Sequence, residues 1–88
     1  MDVIENNFQT SVRNVNNLNS KPTDDELLTI YGLYKQSLFG DNTTDKPGIF
    51  NFKGQKKWTA WMSQKGKTKT RAMMDYTEYS NMLKRKYN

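Results

Sequence analysis

The sequence contains no cysteine and no histidine. The first absence excludes disulfides, thiolate metal sites and a cysteine nucleophile. The second removes the commonest general base and the commonest metal ligand. Together they weigh against catalysis. No apolar run approaches the length of a membrane span, and the N-terminus shows no basic-then-apolar leader pattern. A soluble, cytoplasmic protein is therefore expected. No stretch alternates with the period of a β-strand, and no internal repeat is visible. No glycine-rich phosphate loop is present either, because Gly48 and Gly54 are isolated and lack the lysine spacing of a P-loop. No carboxylate pair stands out for acid–base work, since Asp24, Asp25 and Glu26 are better explained as a helix cap.

What is present fits one small domain, residues 1–88, whose core must be compact. Lysine and arginine number 14 against 9 aspartates and glutamates, a formal charge of +5. That balance favours an anionic partner, whether nucleic acid, membrane surface or phosphorylated small molecule, without choosing between them.

Apolar periodicity predicts an all-α protein of four helices, at about residues 4–18, 24–39, 54–65 and 68–87. Ile4, Phe8, Ser11, Val12, Val15 and Leu18 form one stripe, despite the many asparagines of this region. Tertiary packing, rather than propensity, is expected to hold that helix. Pro22 disfavours helical geometry at Lys21. Thr23-Asp24-Asp25-Glu26 is a capping box, and Gly40 is a natural terminator. Residues 41 to 53 read as a long loop, with Ile49, Phe50 and Phe52 expected to anchor it to the core. The third helix carries Trp58, Trp61 and Met62 and is expected to stop near Gly66. In the fourth, Ala72, Met73, Tyr76, Tyr79, Ser80, Leu83 and Tyr87 share a face, which makes Tyr76 a core residue by default. Lys84, Arg85 and Lys86 suit the negative end of its dipole, whereas Arg71 in its first turn is locally unfavourable.

One residue breaks the amphipathic pattern. At 100° per residue, Leu27, Leu38, Tyr31, Lys35, Leu28 and Phe39 fall in that angular order within one sector of the second helix. Lys35 thus sits between Tyr31 and Leu28, where a core residue is expected. A buried ammonium without a partner is costly. Either its stem snorkels to water or the face is a site for an anion. Tyr31 and Lys35, as i, i+4 neighbours, place a hydroxyl and an ammonium side by side, a suitable cradle for phosphate. Tyr34 offers a ring on which a nucleobase can stack. Lys53, Lys56 and Lys57 make the start of the third helix basic, which by itself reads as a solvated face.

These residues also resemble a known family. Lys-Pro-Thr-Asp-Asp-Glu at 21–26, Tyr-Gly-Leu-Tyr-Lys-Gln at 31–36, Gly40-Asp41 and Lys46-Pro47-Gly48 are similar to acyl-CoA-binding protein. So are Phe52-Lys53-Gly54, Lys57-Trp58-Thr59-Ala60-Trp61 and Lys65-Gly66. The resemblance runs from about Phe8 to Tyr87. It implies a four-helix up-down-down-up bundle that binds medium- to long-chain fatty acyl-CoA thioesters, with no other cofactor and no catalysis. It implies that Tyr31, Lys35 and Lys57 hold the ribose 3′-phosphate, that Tyr34 lies against the adenine and that Tyr76 contacts the CoA portion. The binding set expected on this basis is Tyr31, Gly32, Leu33, Tyr34, Lys35, Lys57 and Tyr76, extended by Val12, Asn16 and Leu28. The chain departs from the family at Asn16, where a basic residue is usual, at Arg71, where an acid is usual, and at Met74 and Tyr79. A monomer making only transient contact with membranes is expected, with no nucleic-acid partner. The competing classes are a small basic nucleic-acid-binding helical domain and a peripheral membrane module. Against the former, Asp24, Asp25, Glu26, Asp41 and Asp45 interrupt the basic surface.

Overall fold

The computed structural model describes residues 2–88. Among them are four helices and no strand: α1 (Val3–Asn16), α2 (Asp24–Phe39), α3 (Phe52–Met62) and α4 (Lys69–Tyr87). Each begins on a side chain that accepts an otherwise orphaned backbone N–H. Asp2 accepts from Ile4, Thr23 from Glu26, Asn51 from Gly54 and Thr68 from Arg71. At α2 the box is reciprocal: Thr23 Oγ1 accepts the Glu26 N–H at 3.2 Å, and Thr23 N–H donates to Glu26 Oε1 at 2.9 Å.

Two ends fall short of the apolar pattern. α1 stops at Asn16, because the Asn17 side chain donates to the Arg13 carbonyl at 2.9 Å and competes with helix continuation. Leu18 nevertheless packs on the core from the turn beyond. α3 spans Phe52–Met62, starting at the Asn51 cap and ending where Ser63 Oγ donates to the Ala60 carbonyl.

Residue pairs across the interfaces fix the topology. Phe8 meets Tyr76 and Ser11 meets Ser80, so α1 and α4 run parallel. Tyr31 meets Lys57, Gly32 meets Ala60 and Lys35 meets Trp61, so α2 and α3 are parallel too. Glu26 meets Lys86 while Gln36 meets Lys67, so α2 and α4 are antiparallel. The bundle is therefore up-down-down-up, and the long α2–α3 connection lets two successive helices point the same way. Gly32 permits the α2–α3 crossing: a Cβ there would lie 2.3 Å from the Ala60 carbonyl oxygen.

The core consists of Phe8, Ile30, Leu33, Tyr76 and Leu83, with half-buried Val12, Val15, Met73, Tyr79 and Met82 around it. α2 turns Glu26, Ile30, Leu33 and Ser37 toward the bundle. The sector holding Leu27, Leu28, Tyr31 and Lys35 is only half-buried, and Leu38 and Phe39 are exposed. This corrects the expectation that Lys35 stands on the core face: its face is the one left beside α3.

Glu26 occupies a core-facing position as a carboxylate. Besides its cap, it accepts from Lys86 Nζ at 2.8 Å and from the Tyr87 hydroxyl. The Lys86 bond, then those from Tyr87 and the Thr23 amide, hold its pKa down, from 4.5 to about 2. Arg71 is compensated by Asp75 one turn on, at 3.1 Å, an aspartate that Lys67 also pairs at 2.7 Å.

Ile49, Phe50 and Phe52 do not anchor the 40–51 connection, contrary to the sequence reading. They are 71%, 88% and 69% exposed. Indoles and amides hold the loop instead. Trp58 Nε1 donates to the Thr44 carbonyl and Trp61 Nε1 to the Gly40 carbonyl, each at 2.9 Å. Gln55 Nε2 donates to the Pro47 carbonyl at 3.0 Å. Buried Gln36 bonds Asp41 and the Lys67 carbonyl, while Asp41 also accepts from the Gly66 N–H. Gly40, at φ 74°, makes the turn out of α2 in a region open to few other residues.

Candidate functional site

The parallel crossing of α2 and α3 leaves clefts between them. One, of about 560 Å³, is lined by Leu27, Leu28 and Tyr31 of α2 and by Phe52, Lys53, Lys56 and Lys57 of α3, with Lys21 and Asp24 at its rim. A second, of about 620 Å³, shares Asp24, Leu28, Phe52 and Lys56 and continues along Thr59, Ala60, Ser63 and Gln64. The two adjoin at Leu28 and Phe52 and together make up the α2–α3 channel. Because α2 and α3 are parallel, their N-termini lie at the same end of it. Their positive dipole ends add to the lysine charges, against Asp24 and Asp25.

Two ammonium groups stand out. Lys35 Nζ lies 4.5 Å from the Phe39 ring centre and 5.0 Å from that of Trp61. Lys57 Nζ lies 5.3 Å from the Tyr31 ring centre. Among the described residues, no carboxylate pairs with either. Aromatic faces hold both cations through weak attraction and leave their N–H donors free for an anion. Tyr31 joins them, being one turn from Lys35 on α2 and directly beneath Lys57 from α3. The Lys35 ammonium thus meets aromatic rings rather than a carboxylate.

The expected site residues divide into four groups. Tyr31, Leu28 and Lys57 line the α2–α3 cleft, and Lys35, one turn from Tyr31, lies outside both cleft linings against Trp61 of α3. Tyr34 is half-buried, stacked on Phe8 at 6.1 Å between ring centres, and 6.3 Å from Tyr76. Its ring therefore serves the core on at least one side. Gly32, Leu33 and Tyr76 are not brought to the cleft. Gly32 is buried under Ala60 and Leu33 is in the core. Tyr76, 2% exposed, meets Phe8 edge-on at 5.1 Å. Burial, with Tyr34 beside it, raises the Tyr76 hydroxyl to about 12, so it stays neutral and protonated. On α1, Val12 packs half-buried against the core and Asn16 is exposed. Neither lines the α2–α3 channel.

Phe39, Trp61, Phe52, Lys53 and Lys56 escaped the sequence reading as site residues. A local signal existed for the lysines, since Lys53, Lys56 and Lys57 are spaced as one helical face. No signal paired Lys35 with Trp61, because they come from different helices.

An apolar cleft with unpaired ammonium groups at one flank defines a helical binding domain for an amphiphilic anion. The chain belongs to the acyl-CoA-binding protein family: the family model described as acyl CoA binding protein matches residues 5–80. It is 48% identical over 81 residues to acyl-CoA-binding protein 2 of Saccharomyces pastorianus, covering 92% of this chain and 93% of that one. It is 40% identical over 85 residues to the acyl-CoA-binding protein homolog of Drosophila melanogaster, covering 97% and 99%. The crystal structure of Oryza sativa acyl-CoA-binding protein 2 superimposes with a TM-score of 0.90 at 36% identity, covering 94% of this chain and 92% of that one.

Proposed function

We propose that this protein reversibly binds medium- to long-chain acyl-CoA thioesters and carries them in the cytoplasm, as a monomer and without catalysis. The observation that carries the reading is that Lys57 and Tyr31 line an apolar cleft between α2 and α3, while Lys35, one helical turn from Tyr31, rests on Trp61 of α3 with no carboxylate partner among the described residues. A long-chain acyl-CoA has two incompatible halves. Its phosphates want cations and water, while its hydrocarbon wants burial. In this reading Lys35, Lys57 and the Tyr31 hydroxyl take the phosphate, and Leu27, Leu28 and Phe52 take the chain.

The lysines need not break an ion pair before meeting the phosphate, so little of the binding energy is spent on rearrangement. Tyr34 supports the head-group side through its packing on Phe8. Gly32, Leu33 and Tyr76 act by holding α2 against α3 and α4. A carrier that leaves the thioester intact needs no general base, which accords with a sequence lacking histidine and cysteine.

Native mass spectrometry of the freshly purified protein tests the proposal. A co-purifying mass increment equal to a CoA ester, removed by competition with added palmitoyl-CoA, is expected. A protein that neither carries such an ester nor takes one up on addition contradicts it.

A further inference from the structure

The segment before α3 exposes three large apolar side chains, Ile49, Phe50 and Phe52, within four residues. Scattered exposed apolar residues need no explanation, but a cluster does. The segment is not loose. Asn51 N–H closes a turn onto the Gly48 carbonyl at 2.9 Å, and Asn51 Oδ1 caps α3 through the Gly54 N–H at 2.9 Å. Gln55 ties the preceding residue, Pro47, to the helix. The three side chains are thus presented outward from a braced turn. Ile49 and Phe50 line neither cleft.

Basic residues outnumber acids around this tip. The clefts that meet at Phe52 are lined by five lysines, Lys21, Lys46, Lys53, Lys56 and Lys57, against two acids, Asp24 and Asp25. An apolar tip within a lysine frame complements a bilayer carrying anionic headgroups. The lysines meet the lipid phosphates and carboxylates while the aromatic and aliphatic side chains enter the acyl boundary. From this we infer that Ile49, Phe50 and Phe52 form a docking surface for anionic membranes. Phe52 belongs to both the exposed tip and the cleft lining, so a docked molecule opens its cleft at the membrane surface. Hydrocarbon can then pass between bilayer and cleft along apolar side chains rather than through water. The inference goes beyond the carrier reading and stands or falls separately from it.

Vesicle flotation tests it, with phosphatidylcholine vesicles prepared with or without phosphatidylserine. The wild-type protein should bind only the anionic vesicles, and less well as salt rises. The double variant Ile49→Ser, Phe50→Ser should lose about tenfold or more in partitioning, from the two lost insertions. Both side chains are exposed, so circular dichroism should show an unchanged helix content. In a second variant, Phe50→Trp, the new indole should shift to the blue and be quenched by brominated lipid. Calorimetry with palmitoyl-CoA in the absence of vesicles separates the two proposals, because the double variant should keep wild-type affinity there. Absence of binding to anionic vesicles, or equal binding by the double variant, overturns the inference. So does a parallel loss of acyl-CoA affinity, which would assign the segment to the ligand groove.

Discussion

At the scale of single residues, the proposed phosphate site rests most on Lys35. Its ammonium has two aromatic rings beneath it and no carboxylate partner. Substituting it removes the proposed ligand contact without stranding a buried charge. Lys35→Ala should therefore leave the helix content intact and weaken long-chain acyl-CoA binding at least about tenfold, as expected for losing a charge-assisted hydrogen bond worth ~1.5–3 kcal/mol. Titration calorimetry on the purified variant measures this, and unchanged affinity would remove Lys35 from the phosphate site. Gly32 behaves in the opposite way. Gly32→Ala adds a Cβ against the Ala60 carbonyl, so α3 must shift. The strain of about 1–3 kcal/mol exceeds the gain of up to ~1 kcal/mol in helix propensity, and the melting temperature should fall by several degrees. A variant as stable as the wild type would mean that the crossing is looser than described. Periodicity alone places Tyr31 beside Lys35 and shows that a lysine interrupts an apolar sector. It cannot show what lies opposite, because Trp61 and Lys57 arrive from another helix. For that reason the resemblance, not the helical wheel, pairs Lys35 with Lys57.

At the scale of elements, the α2 N-terminus shows where local reading succeeds and stops. The Thr23–Glu26 box is legible because both partners lie within one turn. The further use of Glu26, as the partner of Lys86 and Tyr87 at the end of α4, spans some 60 residues and leaves no local trace. This second role has a pH signature. The folded-state pKa of Glu26 is depressed from 4.5 to about 2, so its contribution to stability is complete above 4.5. It is lost as the pH falls from there through about 2. Denaturant midpoints should decline across that window, and Glu26→Gln, which keeps a cap-competent side chain, should decline less. Equal slopes for the two proteins would show that the ion pair adds nothing. The loop before α3 marks the other boundary of local reading. Its apolar residues look like anchors in a sequence. The loop is instead tied by indole N–H groups and amides, whose carbonyl partners no periodicity reveals. Likewise the apolar sector of α2 is readable as apolar, but it lies along a cleft rather than the core. The core-facing stripe of Glu26, Ile30, Leu33 and Ser37 is too polar to identify by pattern.

At the scale of the whole molecule, the parallel pairing of α2 with α3 creates the channel, and the long connection between them makes that pairing feasible. Helix number and approximate span are legible because each helix carries its own apolar stripe, sharpened at α2 by its capping box. The register between helices is not, since it depends on close approaches such as Gly32 on Ala60 and Ser11 on Ser80. A ligand lying between two helices should stiffen the assembly as a unit. At a free concentration of about a hundredfold its Kd, acyl-CoA should stabilise the fold by ~2.7 kcal/mol and raise the melting temperature by several degrees. Thermal scans with and without palmitoyl-CoA would show it. An unmoved midpoint at such saturation would mean that the ligand binds the unfolded chain equally well. Chain length should also register, because each buried methylene contributes ~0.8 kcal/mol, so two further carbons tighten binding up to roughly tenfold while the cleft can hold them.

The central claim is that one site joins a phosphate-binding end to a hydrocarbon-binding end, and that neither suffices alone. Calorimetric titration of the wild-type protein with palmitoyl-CoA, free CoA and palmitate, under one set of conditions, tests it most directly. A single tight site for palmitoyl-CoA is expected, with far weaker binding of CoA and of palmitate. Palmitate binding as tightly as palmitoyl-CoA would contradict it, and would make the cleft a general lipid pocket in which Lys35 and Lys57 recognise nothing.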